Sequence, residues 1–390
     1  MRYYAIKIKD APSAFKAVPG AFVSGAQFCS VVNGITDPGA LDIKLDITKI
    51  SEAGVDAGSQ SYVQIKGVSL AMVAQASKLS GCSIEVHAGM AAGLPLANTQ
   101  LPYLGSNQGL ILKGQIRPAF GNWEANETTL DLFLTNGGVD TTPSDPVKAG
   151  AGTDKAPKNH IHNWPKNTPM ASAIKNTLST VYPKYNLLID ISDKLKLNYH
   201  DMGYYPTLES VGQYWNSISR TILGKSIPNY PGVNLFFEGD QIKVLDGQGK
   251  ASGNKKILFT DLIGQPTWIS MNQISFKTIL RSDIERFAII EMPKTVALTD
   301  ANSAYNEGSA SNPLTFQGTF RVDNIRHIGA FRQPDGAAWN TTFRATVYGS
   351  SADKSVSSTP APTNDSSTSA GPSSTIISSR NFANRRIRSY

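Results

Sequence analysis

Cysteine is nearly absent: Cys29 and Cys82 are the only two in 390 residues. That excludes a disulfide framework and leads us to expect two free thiols. Charged residues make up 17% of the chain, too few for a coiled coil. No run approaches the roughly 18 apolar residues of a membrane helix. The opening MRYYAIKIKD has no secretory-type apolar stretch ahead of its charges, so synthesis and folding in a cytoplasm are expected. Catalytic signatures are missing as well. There is no G-x-S-x-G turn, no H-E-x-x-H helix and no Gly-rich phosphate loop followed by Lys. The expectation is a protein that is not an enzyme and carries no cofactor.

Glycine (33) and proline (22) are plentiful, as befits a turn-rich chain. The net charge is +7. Strand-like alternation runs through residues 1–138, in YAIKIKD, LDIKLDI, SYVQIKGV, CSIEVHAG, GLILKGQI and TLDLFLT. One segment interrupts it. From Ser69, Leu70, Val73, Ala74 and Leu79 recur at helical spacing before Gly81. This reads as a first β-barrel or sandwich with one short helix. Residues 139–169, rich in Gly, Pro, Thr and Lys, read as a linker.

Residues 170–250 change character. MASAIKNTLSTVYP predicts a helix, YNLLIDIS a strand, and TLESVGQYWNSISRTIL a second helix with Thr207 as its cap. VNLFFEGDQIKVLDG predicts a hairpin turning at Gly239-Asp240. Residues 251–350 return to strands: KILFTDL, TWISMNQISFKTIL, RFAIIEMP, LTFQGTFRVDNIRHIGAFR and TTFRATVYG. Trp268, Phe276, Phe316, Phe320 and Trp339 are expected to fill a core or a subunit interface. The predicted fold is β-rich α+β: two β-barrels, an intervening small α/β module and a C-terminal arm. That arm, residues 351–390, holds 12 Ser and 4 Thr and is expected to be disordered or extended. It carries +3 of the net charge and ends in RNFANRRIRSY. Arg380, Phe382, Arg385, Arg386, Arg388 and Tyr390 are the candidate docking residues, for an acidic protein neighbour or for nucleic acid.

His160 and His162 stand at i and i+2, which on a strand points both rings one way, toward a shared metal. Only Asp154 is near enough in sequence to help, and a surface loop is the plainer reading; no metal site is assigned. His87, His200 and His327 are isolated and read as structural. Glu124/Glu127 and Asp190/Asp193 read as solvated carboxylates.

Domain order and local phrases together resemble phage tail baseplate hub proteins. The residues that carry the likeness in the last β region are Gly318, Phe320, Val322, Ile325, His327, Gly329, Trp339, Thr341 and Thr342, preceded by ISFKTILRSDI. The helix TLESVGQYWNSISRTIL with EGDQIKVLDG is similar to the hub's α/β insertion. SYVQIKGVSLAMVAQASKLSGCSIEVHAGM followed by GLILKGQIRPAF is similar to its first tube-type barrel. The resemblance implies two tail-tube-like barrels per chain and a homotrimer presenting a pseudo-sixfold ring. Such a ring adapts the hexameric tail tube to a trimeric central spike. Implied partners are a tail tube or tube-initiator protein, the spike, baseplate wedge proteins and the tape measure protein, with DNA passing through the lumen without specific binding. The implied location is the virion tail baseplate, assembled in the host cytoplasm; a contractile injection system hub is a close variant. Two readings from other classes stand beside it. One is a carbohydrate-binding or hydrolytic β-rich protein, the other a nucleic-acid-binding protein using its basic tail.

Overall fold

Alternating apolar and polar residues build the strands of this chain, many of them burying one face. The computed structural model describes residues 2–49, 55–56, 61–90, 109–136, 159–248, 254–293 and 318–348. The first β region contains β1 (Arg2–Ile8), β2 (Asp42–Lys49), β3 (Ser61–Lys66), β4 (Ser83–Met90), β5 (Leu110–Glu124) and β6 (Glu127–Thr135). Tyr4, Ile6, Ile43, Leu45, Val63, Ile65, Ile84, Val86 and Leu130 form its core. β1 is buried on both faces, because Val23, Ala26 and Cys29 from the following loop cover Ala5. The run from Ser69 is helical only over α1 (Leu70–Ala74), capped by the Ser69 side chain, and continues as a 3-10 turn over Ala76–Leu79. Five residues are too few to hold a longer amphipathic face, and Leu70 stays exposed.

Next come β7 (His160–Trp164), α2 (Met170–Val181), β8 (Asn186–Asp190), β9 (Asp201–Tyr205), α3 (Leu208–Leu223), β10 (Asn234–Glu238) and β11 (Gln241–Leu245). β7 and β9 pair as a two-stranded ribbon. β8, β11 and β10 form a sheet, joined in parallel by a short strand, Val55–Asp56, from between β2 and β3. Thr207 and Ser210 cap α3 reciprocally. Ile174, Leu178, Val211, Trp215, Phe237, Ile242 and Val244 pack a second core between helices and strands.

β12 (Thr267–Ser270), β13 (Gln273–Ile279), β14 (Ile289–Met292), β15 (Gly318–Ala330) and β16 (Trp339–Val347) complete the chain. Ile274, Phe276, Ile290, Phe320, Val322 and Phe343 form a third core. KILFTDL was expected as a strand. It is one only to Lys256 and then turns into a 3-10 segment, Phe259–Asp261, because the buried Asp261 carboxylate accepts from the Leu258 N–H at 3.2 Å.

The strands of the first and last β regions are hydrogen-bonded into one 13-stranded sheet. Its main path runs β12-β13-β16-β15-β2-β3-β6-β5-β4-β1 and ends at a two-residue strand, Phe28–Cys29. The seam is β15 against β2, from Ile325 opposite Lys49 to Ala330 opposite Lys44. β15 changes partner along one edge: its first residues pair β14, and its later ones pair β2. A bulge between Val322 and Asn324 marks the change, as an extra residue bends a strand and redirects its edge.

Candidate interaction surface

The seam is held mainly by apolar packing and a buried indole. Trp339 begins β16, yet its ring lies in the core of the first β region, where Nε1–H donates to the Gly89 carbonyl at 2.9 Å. Across the polar face of the seam, Arg326 grips Asp46 with two hydrogen bonds of 2.8 and 2.5 Å. That pair is exposed, so its contribution is about 0–1 kcal/mol. Burial of Ile47, Leu45, Ile325 and Trp339 therefore outweighs it.

Charged residues concentrate where β2, the β10–β11 hairpin and the turn before β14 come together. Lys243 contacts Glu238 at 2.5 Å and Glu285 at 3.0 Å, and Lys49 lies 4.0 Å from Glu238. Arg286 sits 4.1 Å above the Phe236 ring, which stacks on Phe287. Burial opposes the charge of Glu238, but Lys49 and Lys243 outweigh it and hold the carboxyl below its ordinary range. Lys49 comes from β2, Glu238 and Lys243 from the β10–β11 hairpin, and Glu285 and Arg286 from the turn before β14, so the cluster ties three regions together. Nearby, the buried Arg281 bonds Asp261 at 3.0 Å and Asp283 at 2.6 and 2.7 Å. None of these residues was singled out in sequence. The hairpin register alone carries a signal, since it sets Lys243 opposite Phe236 and diagonal to Glu238.

The histidine pair is not on a surface loop. His160 and His162 lie on β7 and are both buried, sealed by α2, α3 and β9. His160 Nε2 is 3.1 Å from the Tyr182 hydroxyl. The Trp215 indole N–H donates to His162 Nδ1 at 3.2 Å, while His162 Nε2 faces Asp201 at 3.6 Å. Asp201 also accepts the Tyr214 hydroxyl. Burial pushes His162 below its ordinary value, against the pull of Asp201. The surrounding Lys and Pro hid the strand; the i, i+2 spacing correctly put both rings on one face. Among the described residues, no group of three or more His, Cys, Asp or Glu could hold a metal ion. His327 is buried against the Thr341 hydroxyl at 2.9 Å, and exposed His200 meets Asn163 at 2.7 Å. Phe276, Phe320 and Trp339 are buried and Trp268 packs against the third core. Phe316, Asp154 and the arm residues Arg380, Phe382, Arg385, Arg386, Arg388 and Tyr390 lie outside the described residues.

The other face of the long sheet crosses the seam with polar rows on either side of a row that holds Ile328, Asp46, Tyr62 and Phe133. Cross-strand neighbours Lys277, Thr342, Arg326 and Thr48 form one row, and Lys44, Gln64 and Asp131 another. Asp131 accepts from Tyr62 at 2.5 Å, Gln64 at 2.9 Å and Asn122 at 2.6 Å. This is a braced, solvent-facing wall of mixed charge. A separate apolar patch lies on the outer face of the β7–β9 ribbon, where Ile161 and Tyr204 stand opposite each other beside Met202. Two clefts of about 670 and 620 Å³ flank the β10–β11 hairpin region. The larger is lined by amides and Arg321, whose guanidinium is bonded to Asp323. No helix among the described residues is long and apolar enough to cross a membrane.

No protein-family model matches the chain, and no curated protein matches it. Solved structures do. A tail protein from Neisseria meningitidis MC58 aligns over 79% of this chain and 96% of its own, at 10% identity and a TM-score of 0.42. The 43 kDa tail protein of prophage MuSo2 from Shewanella oneidensis aligns over 89% and 97%, at 7% identity and 0.44. A PdpA–VgrG complex aligns over 89% of this chain and 65% of its own, at 10% identity and 0.37. The Neisseria and MuSo2 structures are tail proteins, the class that the sequence resembles.

Proposed function

We propose that this chain is a structural subunit of a phage tail: a hub whose homotrimer forms a ring adapting the hexameric tail tube to a trimeric central spike. The observation that carries the reading is the seam. One chain places two β regions side by side in a single sheet whose face continues across the seam, so three chains supply six such segments around an axis. A ring built this way has a closed, solvent-facing inner wall, and its subunit contacts are heterologous, as three-fold symmetry requires. The charged cluster ties the regions to one another, and Glu238, Arg281, Asp283 and Glu285 also border the cleft of about 620 Å³. Within this reading, residues 1–138 and 251–350 are the two tube-like barrels, 139–169 the link to the module at 170–250 with β7 at its end belonging to that module, and 351–390 the docking arm.

Mass measurement of the purified full chain, alone and with tube and spike proteins, tests the proposal. A trimer or a stoichiometric co-complex is the expected result. A monomer that binds or cleaves a glycan overturns it. Deleting 351–390 tests the arm. Loss of co-assembly with folding intact supports docking through Arg380, Phe382, Arg385, Arg386, Arg388 and Tyr390. Intact assembly with lost DNA affinity supports nucleic-acid binding by the arm instead.

A further inference from the structure

Two side-chain hydrogen bonds fasten α3 to the β7–β9 ribbon, and both end on ionisable groups that face each other. The Trp215 indole donates to His162 Nδ1 at 3.2 Å, and the Tyr214 hydroxyl donates to Asp201 Oδ2. An indole nitrogen only donates, so Nδ1 holds a lone pair and the ring proton sits on Nε2. His162 is therefore neutral in this arrangement. Nε2 faces the same Oδ2 from 3.6 Å, outside hydrogen-bond reach. The imidazole is fully buried among Trp164, Tyr214 and Trp215, at ring distances of 6.0, 5.6 and 5.9 Å. Its titratable neighbours on β9 are Asp201 and Tyr205, the latter packed on Tyr214 of α3. On β7, His160 turns its Nε2 to the Tyr182 hydroxyl at the end of α2. The side chains that α2 buries, Met170, Ala173, Ile174, Thr177 and Leu178, are not ionisable. Among the described residues, Asp201 is the charge that faces the ring.

A second proton on His162 would alter both bonds. Nδ1–H would point at the Trp215 N–H, donor against donor, and the buried indole would lose its acceptor. The imidazolium would also draw Oδ2 toward Nε2 and away from the Tyr214 hydroxyl. We propose that His162 is a proton-operated clasp, which fastens α3 to the ribbon while neutral and releases it when protonated. The release is local. β7 stays tied to α2 by the Thr177 hydroxyl on the Ile161 carbonyl at 3.2 Å, and to the turn before α2 by the Trp164 indole on the Thr168 carbonyl at 2.9 Å. Neither of these bonds involves a group that titrates near neutral pH. Burial favours the neutral ring in the closed state, so the opened state takes up the proton first. Release therefore sets in as pH falls below about 6.5. The clasp belongs to the module and does not rest on the ring proposed above.

Hydrogen exchange of the full chain, read by mass spectrometry from about pH 7.5 to about pH 5 and corrected for intrinsic exchange rates, tests it. Peptides of α3 (Leu208–Leu223) are expected to exchange ahead of those of β2 and β15. Their protection should fall by up to about tenfold per pH unit below about 6.5, the limit for uptake of one proton. In His162→Gln the side-chain oxygen still accepts from Trp215 and does not titrate, so this acid-induced fall disappears. Asp201→Asn keeps an acceptor for Tyr214 and removes the counter-charge of the imidazolium, so the fall runs deeper and levels out at lower pH. The clasp is overturned if α3 protection does not change with pH, if α3 exchanges only together with β2 and β15, or if His162→Gln keeps the fall. Should His162→Gln not fold, Asp201→Asn decides: a deeper fall supports the clasp, and an unchanged one overturns it.

Discussion

Removing the Trp339 side chain tests whether the two β regions are one folding unit. The indole is 1% exposed and sits in the first core although it belongs to the last strand. Burying an aromatic of this size removes roughly 200 Å² from water, worth about 5 kcal/mol at ~25 cal/mol per Å². Its N–H bond to the Gly89 carbonyl adds about 1 kcal/mol. Alanine retains little of that area, and the cavity relaxes in part, so Trp339→Ala is expected to cost about 3–5 kcal/mol. Trp339→Phe keeps most of the ring and should cost about 1–2 kcal/mol, mainly the bond. Gly329 supplies an internal check. A Cβ there would lie 2.7 Å from Trp339 Cζ3 and 2.8 Å from Leu45 Cγ, so Gly329→Ala overpacks the seam by about 1–3 kcal/mol. In the Trp339→Ala background part of that cost disappears, giving a coupling of about 1 kcal/mol or more. Urea unfolding followed by circular dichroism and by intrinsic fluorescence measures each term. The reasoning fails if Trp339→Ala costs under about 1 kcal/mol. It also fails if the loss falls in a transition of the last β region alone, leaving the first unchanged.

Three further outcomes follow from the buried charges. Glu238→Gln leaves Lys243 and Lys49 short of a partner. The ~3–5 kcal/mol of a fully buried pair is discounted because Glu238 is 31% exposed, giving about 2 kcal/mol by denaturation. Because its folded pKa is lowered, the contribution of Glu238 is present above the ordinary carboxylate range and lost as pH falls through it; the Gln variant should lack that loss. His162 and His327 also have lowered folded pKa values, through burial, with Lys49 adding to the shift at His327. The unfolded chain therefore binds their protons first, and stability is lost as pH falls below about 6.5. Both groups steepen the loss of stability as pH falls, and His162→Gln should make it shallower. An unchanged slope would show that His162 does not titrate between the two states. Asp261→Asn takes one charge partner from the buried Arg281, which keeps Asp283, and should cost about 2–3 kcal/mol without altering far-ultraviolet circular dichroism.

Local signals in this sequence were faithful where a segment's own neighbours decide its structure. LDIKLDI, SYVQIKGV and TLDLFLT alternate and are strands. Thr207 caps α3, and Gly239 turns the β10–β11 hairpin at φ +62°. Local signals failed where a distant partner decides. Nothing in the period of β2 or β15 announces that residues nearly 280 apart pair, because alternation fixes which face is buried and leaves the neighbour unspecified. Trp339 read correctly as a core residue, but which core depends on the seam. HIHNW reads as polar because histidine and asparagine are polar. It is a buried strand because Trp215, Tyr182 and Asp201 supply partners from three other elements.

The same contrast separates the charges flagged in sequence from those that matter in the fold. Glu124 and Glu127, close in sequence, sit at an exposed hairpin end, where Glu127 meets only Lys66. Glu238, Lys243 and Glu285 are unremarkable as a string, yet with Lys49 they bring three regions of the chain into contact. Lys243 and Lys49 are largely buried and share Glu238, while Glu285 is mostly exposed, so the two ammonium groups keep their partner only while the three regions keep their mutual positions.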